Sequence, residues 1–199
     1  MMKKTIIVLS ILGLMACEGN SNKEKDQVIT AKKQETEVDT IDNSHLIIPG
    51  KSLAHYQLNG SIEQIQNKLG QPDDSNAGMG KSVRTWNIDS TDILSAYTTR
   101  QMGVEDIDRI KIMRTTSPKY LTQKHLGTGS TKQEIETEFK LKPIGTFQEK
   151  SADYNLYGAS SGIAFEFDQE ENCAGVCIYY DDVNIPAGLV PIYESLKAE

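Results

Sequence analysis

Aromatic residues make up only 7% of this 199-residue chain, with one tryptophan, and there are three cysteines. A carbohydrate cleft usually presents aromatic platforms, so that scarcity argues against sugar processing. Long apolar runs are missing except for one near the N-terminus, which excludes a multi-span membrane protein. Composition likewise excludes collagen-like and coiled-coil chains. Basic residues are outnumbered, 21 Lys+Arg against 28 Asp+Glu, for a net charge of -7. A net acidic surface repels phosphate backbones, so nucleic acid is not expected as a partner.

The one apolar run, residues 5–16, follows the basic start Met1-Met2-Lys3-Lys4. As a helix it would span about 18 Å, short of the roughly 30 Å hydrocarbon core, so it reads as an export signal rather than a membrane span. It ends in Leu14-Met15-Ala16-Cys17, which resembles the bacterial lipobox. That resemblance implies cleavage after Ala16 and a diacylglycerol thioether plus an acyl group on Cys17, anchoring the mature chain to the envelope membrane. The alternative is an ordinary signal cleaved near Ala16, with Cys17 a spare thiol. Residues 18–45 carry four lysines against seven carboxylates, no aromatic and no sustained apolar period. They bury too little to offset ordering entropy, and residues 17–45 are expected to form a lipidated, flexible tether.

Residues 46–199 are long enough for one substantial core. Within them, Ser61 with Gln64 and Thr131 with Glu134 match a capping-box pattern. Ile65/Leu69 and Ile135/Phe139 then recur at helical spacing. Gly70 with Pro72 closes the first helix, and Pro143 lies beyond the second. At an offset of 70 residues, 93–97 aligns with 163–167, where Ile163, Phe165 and Phe167 alternate as in a strand. Strands are also predicted at 83–88 and 107–113, and at 154–158 and 175–180, with turns at 89–92 and 159–162. The expected fold class is therefore α+β: two tandem helix-plus-antiparallel-three-strand repeats, about 46–115 and 125–180, packing a helical layer on a sheet. The extension 181–199 is expected to end in a helix near 192–197.

This pattern resembles the fold of the β-lactamase inhibitor proteins and of the small lipoprotein subunit of the outer-membrane barrel assembly machine. The resemblance is carried by Gly60-Ser61 through Leu69-Gly70-Gln71-Pro72, and by the linker 117–122 with Gly127-Thr128-Gly129-Ser130-Thr131. It implies a protein-binding module without specifying the protein bound. The second copy departs from the pattern, having Lys140-Leu141-Lys142-Pro143 where Gly-x-Pro is expected.

Two apparent enzyme motifs fail on context. Gly158-Ala159-Ser160-Ser161-Gly162 fits a nucleophile elbow but precedes a predicted strand, and no histidine follows it. Gly78-Met79-Gly80-Lys81-Ser82 ends like a phosphate-binding loop but lacks the earlier glycine, Ser75 standing there, and it too leads into a strand. Trp86 aligns with Leu156 at a core-facing position. Cys173 and Cys177 would lie about 13 Å apart along a strand, too far for a disulfide. They bridge only if residues 172–174 turn, and otherwise stay as unpaired thiols. The acidic groups at 105–108, 170–171 and 181–182 lack calcium-loop spacing and read as solvated turns. The three histidines show no partner spacing. No metal, cofactor or catalytic residue is expected.

The leading expectation is a lipid-anchored, non-enzymatic cell-envelope protein, at the outer membrane, that binds a partner protein through the sheet face away from the helices. With Ile110, Ile112, Val176 and Ile178 inward, that face would present Arg109, Lys111, Cys177 and Tyr179, joined by Tyr157. Two alternatives are an inhibitor of a periplasmic or secreted enzyme, acting through turns 73–82 and 169–173, and, less favoured, a hydrolase.

Overall fold

The computed structural model describes residues 41–198; the signal, Cys17 and most of the tether lie outside them. A small sheet forms first, from β1 (Leu46–Ile48), β2 (Ser52–Leu53) and β3 (Tyr56–Gln57), with β8 (Leu121–Thr122) joining β1 in parallel. The main sheet has nine strands. One meander comprises β4 (Asp74–Gly78), β5 (Lys81–Asn87), β6 (Ile93–Thr99) and β7 (Arg109–Thr115). A second comprises β9 (Lys142–Glu149), β10 (Ala152–Ala159), β11 (Ile163–Phe167) and β12 (Cys173–Tyr179). They meet at β12 and β7, and β13 (Lys197–Ala198) closes the far edge, giving the order β13-β9-β10-β11-β12-β7-β6-β5-β4. The six predicted strands all form, because each alternates or carries β-branched and aromatic side chains on a half-buried surface.

Among the described residues the two α-helices are short: α1 (Glu63–Leu69) and α2 (Lys132–Glu136). At α2 the capping box forms, Thr131 Oγ1 accepting from Glu134 N while the Glu134 carboxylate accepts from Thr131 N at 2.8 Å. At α1 it does not. Gln64 turns back instead to the strand before it, its amide donating to Gln57 O at 2.9 Å and accepting from Gln57 N at 2.8 Å.

The expected α+β fold of two tandem repeats under a helical layer is thus corrected to a mostly β fold with two sheets. Helices of seven and five residues, each burying one isoleucine (Ile65, Ile135), are too short to form a layer. The small sheet contributes Ile47, Leu53 and Tyr56 to the same core as these isoleucines and Trp86, Leu94, Ile110, Phe165, Val176 and Ile178. Side chains from both halves of the chain share this first core, so it does not divide into copies. A second core lies on the opposite face of the main sheet. Residues 192–197 form no α-helix, and a short 3-10 turn at Ala187–Leu189 precedes β13.

Three β-bulges decide which side chain meets which core. Tyr97 pairs with Ile112 and Thr98 with Ile110, leaving Lys111 as the extra residue. Ile110 therefore faces the first core and Ile112 the second. Glu166 pairs with Gly175 and Phe167 with Cys173, leaving Ala174 extra, while Ile144 is extra in β9. An inserted residue shifts the period-2 alternation, which sends everything beyond it to the other face.

Candidate functional site

The second face is covered by the chain itself. Residues 183–196 cross it as a strap, seating Leu189 and Tyr193 fully and Val183, Ile185, Ile192 and Leu196 partly against Ile112, Phe147, Leu156, Ala164 and Cys177. Ser195 Oγ donates to Gln148 O at 2.9 Å and accepts from Gln148 N at 2.7 Å, and β13 then pairs with β9. Between the strap and strands β4–β6 lies a groove of two adjoining cavities, about 540 and 520 Å³, which share Val83, Pro191 and Glu194. Tyr97, Lys81 and Val190 line the outer part, and Thr85, Ser95, Arg114 and Tyr193 the inner part.

At the inner end an ion-paired network ties strap to sheet. Arg114 grips Glu166 with two parallel bonds, Nε to Oε1 at 2.6 Å and Nη2 to Oε2 at 2.8 Å, and Nη2 also reaches Glu149 at 2.5 Å. Tyr193 Oη donates to Glu166 Oε1 at 2.7 Å. The guanidinium lies 5.5 Å from the Tyr193 ring centre and 6.0 Å from that of Phe147. Room for the carboxylate depends on Gly175, where a Cβ would stand 2.6 Å from Glu166 Oε2. Burial works against the Arg114 charge, but Glu166 and then Glu149 outweigh it and hold the group protonated well above its ordinary range. Burial also pushes the Tyr193 phenol well up and the Cys177 thiol to about 12, with the Glu166 charge adding to both. The network is therefore a satisfied, charge-locked clasp of a protonated phenol and thiol around Arg114 and its two carboxylate partners, and it contains no activated nucleophile.

The predicted binding residues do not share a face. Tyr179 is buried, its hydroxyl donating to Ala159 O at 3.1 Å. Tyr157 packs on the first core, edge-on to Phe167, with Lys132 Nζ 4.2 Å from its ring centre. Arg109 and Lys111 do come together, both donating to Asn59, to its backbone O and its Oδ1 respectively, each at 3.2 Å. Their charges are already met, by Glu105 at 2.6 Å and Asp182 at 2.6 Å. The bulges at Lys111 and Ala174 and the strap account for this dispersal. The Ala174 bulge also separates the cysteines: Cys173 belongs to the first core and Cys177 to the second, both buried and free, so no disulfide joins them.

Ser160 sits in the β10–β11 hairpin, where Gly162 takes φ 82° and a strand follows, so no nucleophile elbow forms. Gly80-Lys81-Ser82 likewise runs from a hairpin turn into β5. Trp86 is buried as expected, its Nε1 donating to Gly70 O at 3.0 Å, but it and Leu156 occupy opposite cores. Of the two turns considered for insertion into an enzyme, 73–82 is mostly the β4–β5 hairpin. The other is held to itself by Asp168 Oδ1, which accepts from Glu170 N and Asn172 N. Among the described residues, no three His, Cys, Asp or Glu side chains gather as a metal site.

Sequence reasoning missed Arg114, Glu149, Glu166 and Tyr193. Glu166 alternates with Phe165 and Phe167 and so reads as solvent-facing. The available signal was the run of apolar residues in 183–196, which requires a surface to cover.

The sequence matches no protein-family model and no curated protein. Two solved structures are similar to it. One is a cysteine-rich secretory protein from Staphylococcus aureus, at 15% identity and TM-score 0.45, covering 75% of this chain and 55% of that one. The other is an extracellular protein containing an SCP domain from Bacillus anthracis, at 12% identity and TM-score 0.41, covering 81% of this chain and 50% of that one. The chain thus spans about half the length of each. The resemblance to the β-lactamase inhibitor proteins and the barrel-assembly lipoprotein is corrected by the architecture itself, which among the described residues is mostly β and has no helical layer of that kind.

Proposed function

We propose that this chain is a lipid-anchored, non-enzymatic protein of the cell envelope, held at the outer membrane through Cys17, that binds an extended segment of a partner protein in the groove beside the strap. The observation carrying this reading is the open edge of the main sheet. Among the described residues β4 pairs only with β5, all five of its residues are exposed, and it borders the groove through Asn76 and Gly78. An added strand would satisfy the edge backbone while Val83, Tyr97, Val190 and Pro191 receive its side chains. Polar Asp74, Ser75 and Asn76 keep that edge from self-pairing until a partner with matching side chains arrives.

A photo-crosslinking residue at Asn76 or Val83, with a control at Gln123, tests this in cells. The expected result is a discrete protein adduct at the two groove positions and none at the control. Equal labelling at all three, or none in the groove, would reject it. A soluble enzyme as the adduct would favour the inhibitor reading.

A further inference from the structure

The end of the main sheet at the β4–β5 turn carries a basic cluster that adjoins the groove through Lys81 and Ser82 but draws its two arginines, Arg84 and Arg100, from outside it. Arg84 lies two residues from Trp86 on β5 and so belongs to the first-core face. Its Nη2 donates to Asp108 Oδ2 at 2.7 Å, while Arg100 Nε reaches Asp108 Oδ1 at 3.1 Å. Arg84 Nη1 is buried without a hydrogen-bond partner. These side chains, with Lys81 and Ser82, line a cavity of about 240 Å³ where Asp108 is the single acidic residue against three basic ones. Two positive charges thus remain uncompensated at one spot on a chain of net charge -7. Glu105, in the neighbouring loop, is taken by Arg109.

A buried guanidinium N–H is costly to leave unpaired, and the planar fork of arginine matches oxyanions. A carboxylate offers two oxygens, whereas a phosphate group has enough to meet Arg84 Nη1, Arg100 and Lys81 together. The rim is apolar: Met79 is 96% and Met102 67% exposed, and both line the cavity mouth. We propose that this cluster is a binding site for a phosphate group flanked by apolar matter, presented by a phospholipid headgroup or by a free phosphate ester. The turn geometry differs from a nucleotide-binding loop. No helix N-terminus takes part, and side-chain guanidinium and ammonium groups supply the donors.

The test is a titration of the full chain carrying Cys17→Ala with inorganic phosphate at constant ionic strength, read by NMR shifts of the Arg84 and Arg100 Nε–H groups and the Ser82 amide. Saturable shifts are expected, with binding weakened about tenfold in Arg100→Gln and in Lys81→Gln, both exposed enough to leave the fold intact. An unchanged Trp86 emission spectrum verifies that fold. Acetate is expected to bind more weakly than phosphate. No shift, an equal response to acetate, or variants that titrate like the parent would overturn the site. Vesicles distinguish the source. Flotation on phosphatidylglycerol above that on phosphatidylcholine, lost in Arg100→Gln and in the Met79→Ser/Met102→Ser pair, assigns the headgroup. Phosphate binding with no such vesicle difference assigns a free ester.

Discussion

At the scale of single residues, the chemistry concentrates on Glu166. It is 1% exposed, yet it accepts two bonds from Arg114 and one from Tyr193. Breaking a buried pair from one side leaves an uncompensated charge, so Glu166→Gln is expected to lower stability by about 3–5 kcal/mol, measured by the urea midpoint. Gly175→Ala should cost about 1–3 kcal/mol by driving a Cβ into that carboxylate. Burial raises Tyr56 and Tyr179 to about 12 from an ordinary value of 10. A raised folded-state pKa means that the native state holds its proton longer. The associated stability is therefore complete below pH 10 and is lost as pH climbs towards 12. Urea midpoints across that window should fall, and less steeply in Tyr179→Phe. An alkaline midpoint rising with pH would contradict the burial of these phenols.

At the scale of elements, the strap decides what the second face of the sheet is for. Alternation in β11 and β12 predicts one buried face and one wet face, and that reading is sound for an isolated sheet. Residues 183–196 then cover the wet face, turning Cys177 and Tyr179 from surface into core. Tyr193→Ala removes a fully buried ring and the hydroxyl bond to Glu166, with an expected loss of about 3–5 kcal/mol by chemical denaturation. Hydrogen exchange should quicken in β9 and β13 as the strap frays, while β5 and β6 keep their protection. Helix starts were legible only in part. Thr131 and Glu134 cap α2 as their spacing indicates, but Gln64 found a better partner in the backbone of Gln57, seven residues away. Strands β1, β2, β3 and β8 escaped detection because two or three residues cannot display a period.

At the scale of the whole molecule, the two meanders share one sheet through β7 and β12 and one first core. A single unfolding transition is therefore expected. Trp86 emission, which reports the first core, should coincide with the near-ultraviolet dichroism of Tyr193 and Phe147 in the second. Two separated midpoints would indicate units that fold apart. On the proposed reading, lipidation at Cys17 sets where this body works. Palmitate labelling should be present in the parent and absent in Cys17→Ala, and equal labelling of both would remove the lipid anchor.

Some properties follow from local order alone. The charge balance, the apolar run 5–16 before Cys17, the six alternating strands and the hairpin character of Ser160 depend on composition or on neighbours a few residues away, and the sequence by itself determined them. Tertiary structure alone decided the rest. A bulge is one residue unpaired against a distant strand, and nothing in the pattern around Lys111 or Ala174 marks it, yet it sent Cys173 and Cys177 to opposite cores. The groove, the Arg114–Glu166–Tyr193 clasp and the basic cluster at Arg84 each join residues tens of positions apart. Their chemistry appears only when pairing of the strands and closure of the strap bring those charges out of water and together.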